Sequence, residues 1–122
     1  MSLPSLPHPL FILAYAGALL AVVALSLIPP PEMSGPEGSD KVAHLIAYGV
    51  IAFCGGIGFR TTDARAMAAS GAVAVGILLE FAQATWFDRN GSVWDAVANG
   101  AGAALGLGGA MVLLRILERA SR

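Results

Sequence analysis

Four long apolar runs, separated by short polar or proline-rich connections, set the pattern along this chain. The first, Leu10 to Ile28, carries no ionisable side chain except Tyr15. At a rise of about 1.5 Å per residue it can cross a hydrocarbon core of roughly 30 Å as a helix. Val42 to Phe59, Ala66 to Trp86 and Val93 to Leu114 are comparably long and apolar. The pattern therefore predicts helices over about 10–28, 42–59, 66–86 and 93–114, in a single membrane domain covering residues 1–122. No Lys or Arg precedes position 41 and the first run exceeds a normal signal-peptide core, so a retained span is expected rather than a cleaved leader.

The connections agree with helices. Pro29, Pro30 and Pro31 must end the first one, because each lacks an N–H and its ring clashes with the preceding turn. Pro29 to Ser39 then reads as an extended loop, Arg60 to Arg65 as a short polar link, and Asp88 to Ser92, with its Asn90-Gly91 pair, as a turn. Connections this short make sequence neighbours antiparallel. The expected architecture is an all-α, four-transmembrane-helix bundle. Arg60, Arg65, Arg115, Arg119 and Arg122 fall on one side of it, with only Lys41 and Arg89 on the other. Basic residues collect in the cytoplasm, so both termini are expected there.

Composition narrows the class. Of the 122 residues 57% are apolar and 12% charged, about half the charged fraction of a soluble domain. A water-soluble monomer is disfavoured. Seven basic residues scattered over a chain of net charge −1 make no basic face, so nucleic acid is not an expected partner. The lone Cys54 excludes an internal disulfide and reads as a small residue packed in an apolar helix.

Against that background the polar residues inside the spans stand out, since each ionisable one costs about 2.5–3.5 kcal/mol on insertion scales. Asp40, Lys41, His44 and Tyr48 open the second helix, the last two near the face of Asp40. Glu80 and Gln83 close the third helix, Arg89 lies in the loop, and Asp95 and Asn99 open the fourth. In a four-span topology all of these fall at the same, outer end. Each also has a plainer reading. Ser39 with Asp40, and Ser92 with Asp95, match helix caps. Lys41 can snorkel, Tyr48 can pack, and Trp86 and Trp94 suit an interfacial belt. Glu80 fits a plain role least well: at its helix end the dipole disfavours a negative charge, which leaves pairing with Arg89, a proton or chemistry. His44 can exchange a proton near neutrality. A metal site of Asp40, His44, Glu80 and Asp95 is not expected from one imidazole without a ligand-spacing signature, and no cofactor is assigned. Gly102 and Gly106 form a GxxxG notch open either to packing within the chain or to a second copy as a homodimer. Gly71 and Gly76 are expected to thin the third helix in the same way.

The segments Ser39-Asp40-Lys41-Val42-Ala43-His44-Leu45-Ile46-Ala47-Tyr48, then Glu80-Phe81-Ala82-Gln83, then Arg89-Asn90-Gly91-Ser92-Val93-Trp94-Asp95 on through Asn99 to Gly102, taken in this order, resemble the VanZ-like family of small integral membrane proteins. The resemblance covers about Ser39 to Gly106 and carries over to Asp40, Lys41, His44, Tyr48, Glu80, Gln83, Arg89, Asp95, Asn99 and Gly102. It implies a multi-pass protein of the bacterial inner membrane and cell envelope, and the name-giving member is associated with resistance to the glycopeptide teicoplanin. It implies no reaction, and no appended domain is expected. Three functions remain open. In the first, the site binds or modifies a membrane lipid or lipid-linked envelope precursor. His44, Glu80, Asp40 and Asp95 would then serve as acid–base groups, with Lys41 and Arg89 on a phosphate and Tyr48, Gln83 and Asn99 as further headgroup contacts. The second is a proton-coupled transporter or flippase, the third a non-catalytic scaffold locked by its polar cluster.

Overall fold

A computed structural model describes residues 8–28, 39–86 and 93–122. Four α-helices account for nearly all of them: α1 (His8–Leu27), α2 (Ser39–Gly58), α3 (Thr62–Trp86) and α4 (Val93–Ala120). All four are long and apolar enough to cross a membrane.

The helices outrun the apolar runs at polar ends. α3 starts at Thr62 rather than Ala66 because Thr61 Oγ1 accepts the Ala64 N–H at 3.1 Å, and Asp63 occupies the first turn, where the dipole favours an acid. The α2–α3 connection is correspondingly shorter than the Arg60–Arg65 link expected. α2 likewise begins at Ser39, with Asp40 in its first turn. α4 continues past Leu114 to Ala120, and its 28 residues extend over about 42 Å, more than a hydrocarbon core of roughly 30 Å. Its last turns are polar, with Glu118 3.3 Å from Arg122.

Sequence neighbours are antiparallel. His8 Nδ1 donates to the Ile57 carbonyl at 2.9 Å, joining the start of α1 to the end of α2, and Gly55 of α2 abuts Ala68 near the start of α3. The most extensive contact, however, joins α2 to α4, which are not neighbours in sequence and run parallel. A Cβ on Gly102 would overlap the Leu45 carbonyl oxygen, and one on Gly106 that of Gly49. Further along the same seam, Gly56 lies where a Cβ would come 2.5 Å from that of Ala110. Glycine at these positions lets two backbones touch, which in lipid replaces the missing hydrophobic drive with dispersion. The Gly102/Gly106 notch is thus covered by α2 of the same chain. Gly71, by contrast, has nothing within 4 Å of the place a Cβ would take and thins no interface.

The core is correspondingly fine-grained. Tyr48, Ile51 and Ala72 form one buried cluster, and Ala52, Ala69 and Ala103 another. α1 buries no residue fully and lies against α2 and α3, away from α4. One of its polar ties is Tyr15, whose hydroxyl donates to the Ala68 carbonyl at 2.8 Å. Tyr15→Phe keeps the ring and removes that bond, so a loss of about 0.6 kcal/mol, and no more than about 1.7, is expected in a steric-trapping measurement.

Candidate functional site

The directions of the four helices bring the end of α1, the start of α2, the end of α3 and the start of α4 to one end of the bundle. There His44 Nδ1 lies 2.8 Å from Asn99 Oδ1, joining α2 to α4 across 55 positions of sequence. An amide oxygen only accepts, so His44 donates from Nδ1, and in a neutral imidazole that places the lone pair on Nε2. The His44 ring lies parallel to that of Tyr48, with centroids 6.5 Å apart. Tyr48 is itself buried one helical turn deeper.

Glycine again makes the room. A Cβ on Gly76 of α3 would lie 2.6 Å from the Tyr48 hydroxyl oxygen and 2.7 Å from Asn99 Nδ2. Tyr48 and Asn99 therefore share a niche that exists because α3 carries no side chain at that point. Asn99 is 1% exposed, and its Nδ2 has no hydrogen-bond partner among the described residues.

The charged groups divide by burial. Lys41 Nζ bridges two carboxylates, 3.5 Å from Asp40 and 3.6 Å from Asp95. Asp40 is exposed, so its share of this contact is screened and weak. Asp95 is 8% exposed, and its Oδ1 finds no hydrogen-bond donor among the described residues. The half-buried Glu80 completes the group from α3. One ligand atom from each of His44, Glu80 and Asp95 lies within 4.8 Å of the others. Asp40, an acid–base candidate from its spacing alone, is not part of this triplet.

Beside His44 a cavity of about 240 Å³ opens between α1, α2 and α3, lined by Val22, Leu25, Ser26, Ala43, Ala47, Tyr48 and Gln83 as well. Gln83 turns its Nε2 to the Ser26 carbonyl at 2.8 Å, so it ties α3 to α1 on the cavity wall while His44 faces it from α2. Apolar side chains make up most of the lining and the imidazole and amide supply its polarity. Trp86 and Trp94 are both exposed at this end, as an interfacial pair would be. Arg89, its expected pairing with Glu80, and the Ser92 cap lie outside the described residues.

Ser26 and Gly76 are the members of this region that the sequence did not single out for the site. Ser26 acts through its backbone carbonyl, which no side-chain pattern reports. Gly76 lies a helical turn before Glu80, and that spacing was the available signal. Comparison with known proteins finds no matching family model, no matching curated protein and no matching solved structure.

Proposed function

We propose that this chain is a multi-pass protein of the bacterial inner membrane, of the VanZ-like kind, that recognises the phosphate headgroup of a lipid or lipid-linked envelope precursor. The observation that carries the reading is the convergence of His44, Glu80, Asp95 and Asn99 from three helices beside a mostly apolar cavity at one end of the bundle. A headgroup needs cations and donors at the depth where lipid polarity begins, and acyl chains need an apolar wall next to them. Lys41 and Arg89 supply charge to the phosphate, Asn99 and Tyr48 steady His44 beside it, and Gln83 shapes the cavity wall. His44, flanked by Glu80 and Asp95, is placed to exchange a proton with a bound group. With five arginines at the opposite end, the positive-inside rule sets both termini in the cytoplasm and this site on the outer side. A link to teicoplanin resistance rests on the resemblance alone. A transporter would gather such residues near mid-membrane, so their position at one end favours the headgroup reading.

The test uses the full chain in detergent and compares a polyprenyl phosphate with the corresponding polyprenol by native mass spectrometry. The phosphate is expected to bind at least ten-fold more tightly, about 1.4 kcal/mol. Lys41→Gln and His44→Ala should each remove most of that preference. Equal retention of the two lipids by the unaltered chain, or an unchanged preference in both variants, overturns the reading.

A further inference from the structure

We infer that His44, Glu80 and Asp95 together hold one divalent cation of the manganese or zinc class. The three side chains come from α2, α3 and α4, and each offers a ligand atom within 4.8 Å of the other two. Ligand atoms about 2.1 Å from an ion stand roughly 3.0–3.4 Å from one another, so an ion would draw these atoms together by no more than about 2 Å. One imidazole with two carboxylates suits a borderline or moderately hard dication rather than a thiolate-seeking metal.

Two independent features point to an ion rather than to a chance meeting of charges. The first is Asp95, which is 8% exposed and has an Oδ1 with no hydrogen-bond donor among the described residues. Lys41, at 3.6 Å, stands beyond hydrogen-bond distance, and its ammonium is shared with Asp40. A buried carboxylate oxygen in that state forfeits its hydration without full repayment, and a bound cation restores it. The second feature is the support behind His44. Asn99, 1% exposed, accepts the Nδ1 proton at 2.8 Å, which fixes the tautomer and leaves the Nε2 lone pair for a metal. Metal-binding histidines are oriented in this way by an acceptor on their second nitrogen. The parallel Tyr48 ring further limits rotation of the imidazole.

Charge gives the ion a use. Asp95 and the exposed Asp40 share the Lys41 ammonium, so the corner around Asp95 offers a phosphate no surplus of positive charge. A dication adds two positive charges there, which makes the same corner more attractive to the anion. In this respect the inference rests on the headgroup reading, although the metal site itself is testable without any lipid.

The experiment takes the full-length chain in detergent, stripped with EDTA and free of added lipid. It is titrated with Mn²⁺, the free ion being counted by electron paramagnetic resonance, and Zn²⁺ is added as competitor. One Mn²⁺ per chain is expected, displaced by Zn²⁺. His44→Ala and Asp95→Asn should each weaken binding by about ten-fold or more, and Asn99→Ala by about ten-fold through the orientation of His44. Should a variant fail to give a monodisperse peak, the unaltered chain still decides: bound Mn²⁺ must show the nitrogen modulation of an imidazole ligand in its electron spin echo. Absence of saturable uptake of either metal up to about 1 mM overturns the inference. So does a bound Mn²⁺ without nitrogen coupling, or unchanged affinity in both His44→Ala and Asp95→Asn. Phosphate preference that persists in EDTA while no metal binds removes this inference alone. Metal uptake without any phosphate preference removes the headgroup reading and leaves the ion site.

Discussion

Gly106→Ala is expected to break the bundle apart, although it adds a single methyl group. That methyl would overlap the Gly49 carbonyl oxygen, a backbone atom of α2 that no rotamer change can move. α2 and α4 would have to separate along their whole parallel seam, which includes Leu45 against Gly102 and His44 against Asn99. Overpacking usually costs about 1–3 kcal/mol, and here the relief is taken from every contact of the largest interface. The expected result is a sharp fall in thermal stability and aggregation on size exclusion. Gly108→Ala supplies the control, since nothing lies within 4 Å of its Cβ position and alanine is the better helix former by about 0.8–1.0 kcal/mol. Equal melting temperatures for the two variants would mean that α2 and α4 do not meet as described.

Gly76→Ala should have the next largest effect, and on the site more than on the seam. Its methyl would come 2.6 Å from the Tyr48 hydroxyl oxygen, 2.9 Å from Tyr48 Cζ and 2.7 Å from Asn99 Nδ2. Tyr48 and Asn99 are 2% and 1% exposed, so neither side chain has open space to turn into. Their displacement pulls on the His44–Asn99 bond and on the ring beside it. A stability loss of about 1–3 kcal/mol is expected, together with loss of phosphate preference. Adding Tyr48→Phe removes the closest overlap, and in a double-mutant cycle it should return part of the stability without restoring binding, because the Asn99 overlap persists. Full stability and binding in Gly76→Ala would remove the shared niche from the account.

The fold was legible to the extent that apolar length and punctuation determine it. Four runs of spanning length, ended by Pro29–Pro31, by Arg60 and by Asn90-Gly91, leave few arrangements other than four antiparallel-linked helices. Which helices touch most was not legible. The loops define α1–α2, α2–α3 and α3–α4 as neighbours, yet the closest backbone approach is α2 on α4, encoded by glycines whose partner the sequence does not name. The site was legible as a coincidence of position: His44, Glu80, Asp95 and Asn99 do share one end. Their division of labour was not. Asp40 and Asp95 look alike as acids in a first helical turn, but one faces solvent and the other is buried, a difference set by the rotation of α2 and α4 about their axes. Gln83 has the residue type of a headgroup ligand and instead spends its amide on the Ser26 carbonyl, which only the packing of α1 on α3 could reveal.

The parallel seam between α2 and α4 also dictates an order of events during synthesis. α2 is made well before the helix that covers it, so Leu45, Gly49 and Gly56 wait with their seam open while α3 and then α4 are translated. At roughly 5–20 residues per second that interval lasts some seconds. His44 has no Asn99 to meet until the final helix leaves the ribosome, and a nascent chain stalled before that point carries an unclosed groove into the bilayer. A chain that stops upstream of Val93 therefore leaves bare the α2 face that α4 covers in the full-length protein.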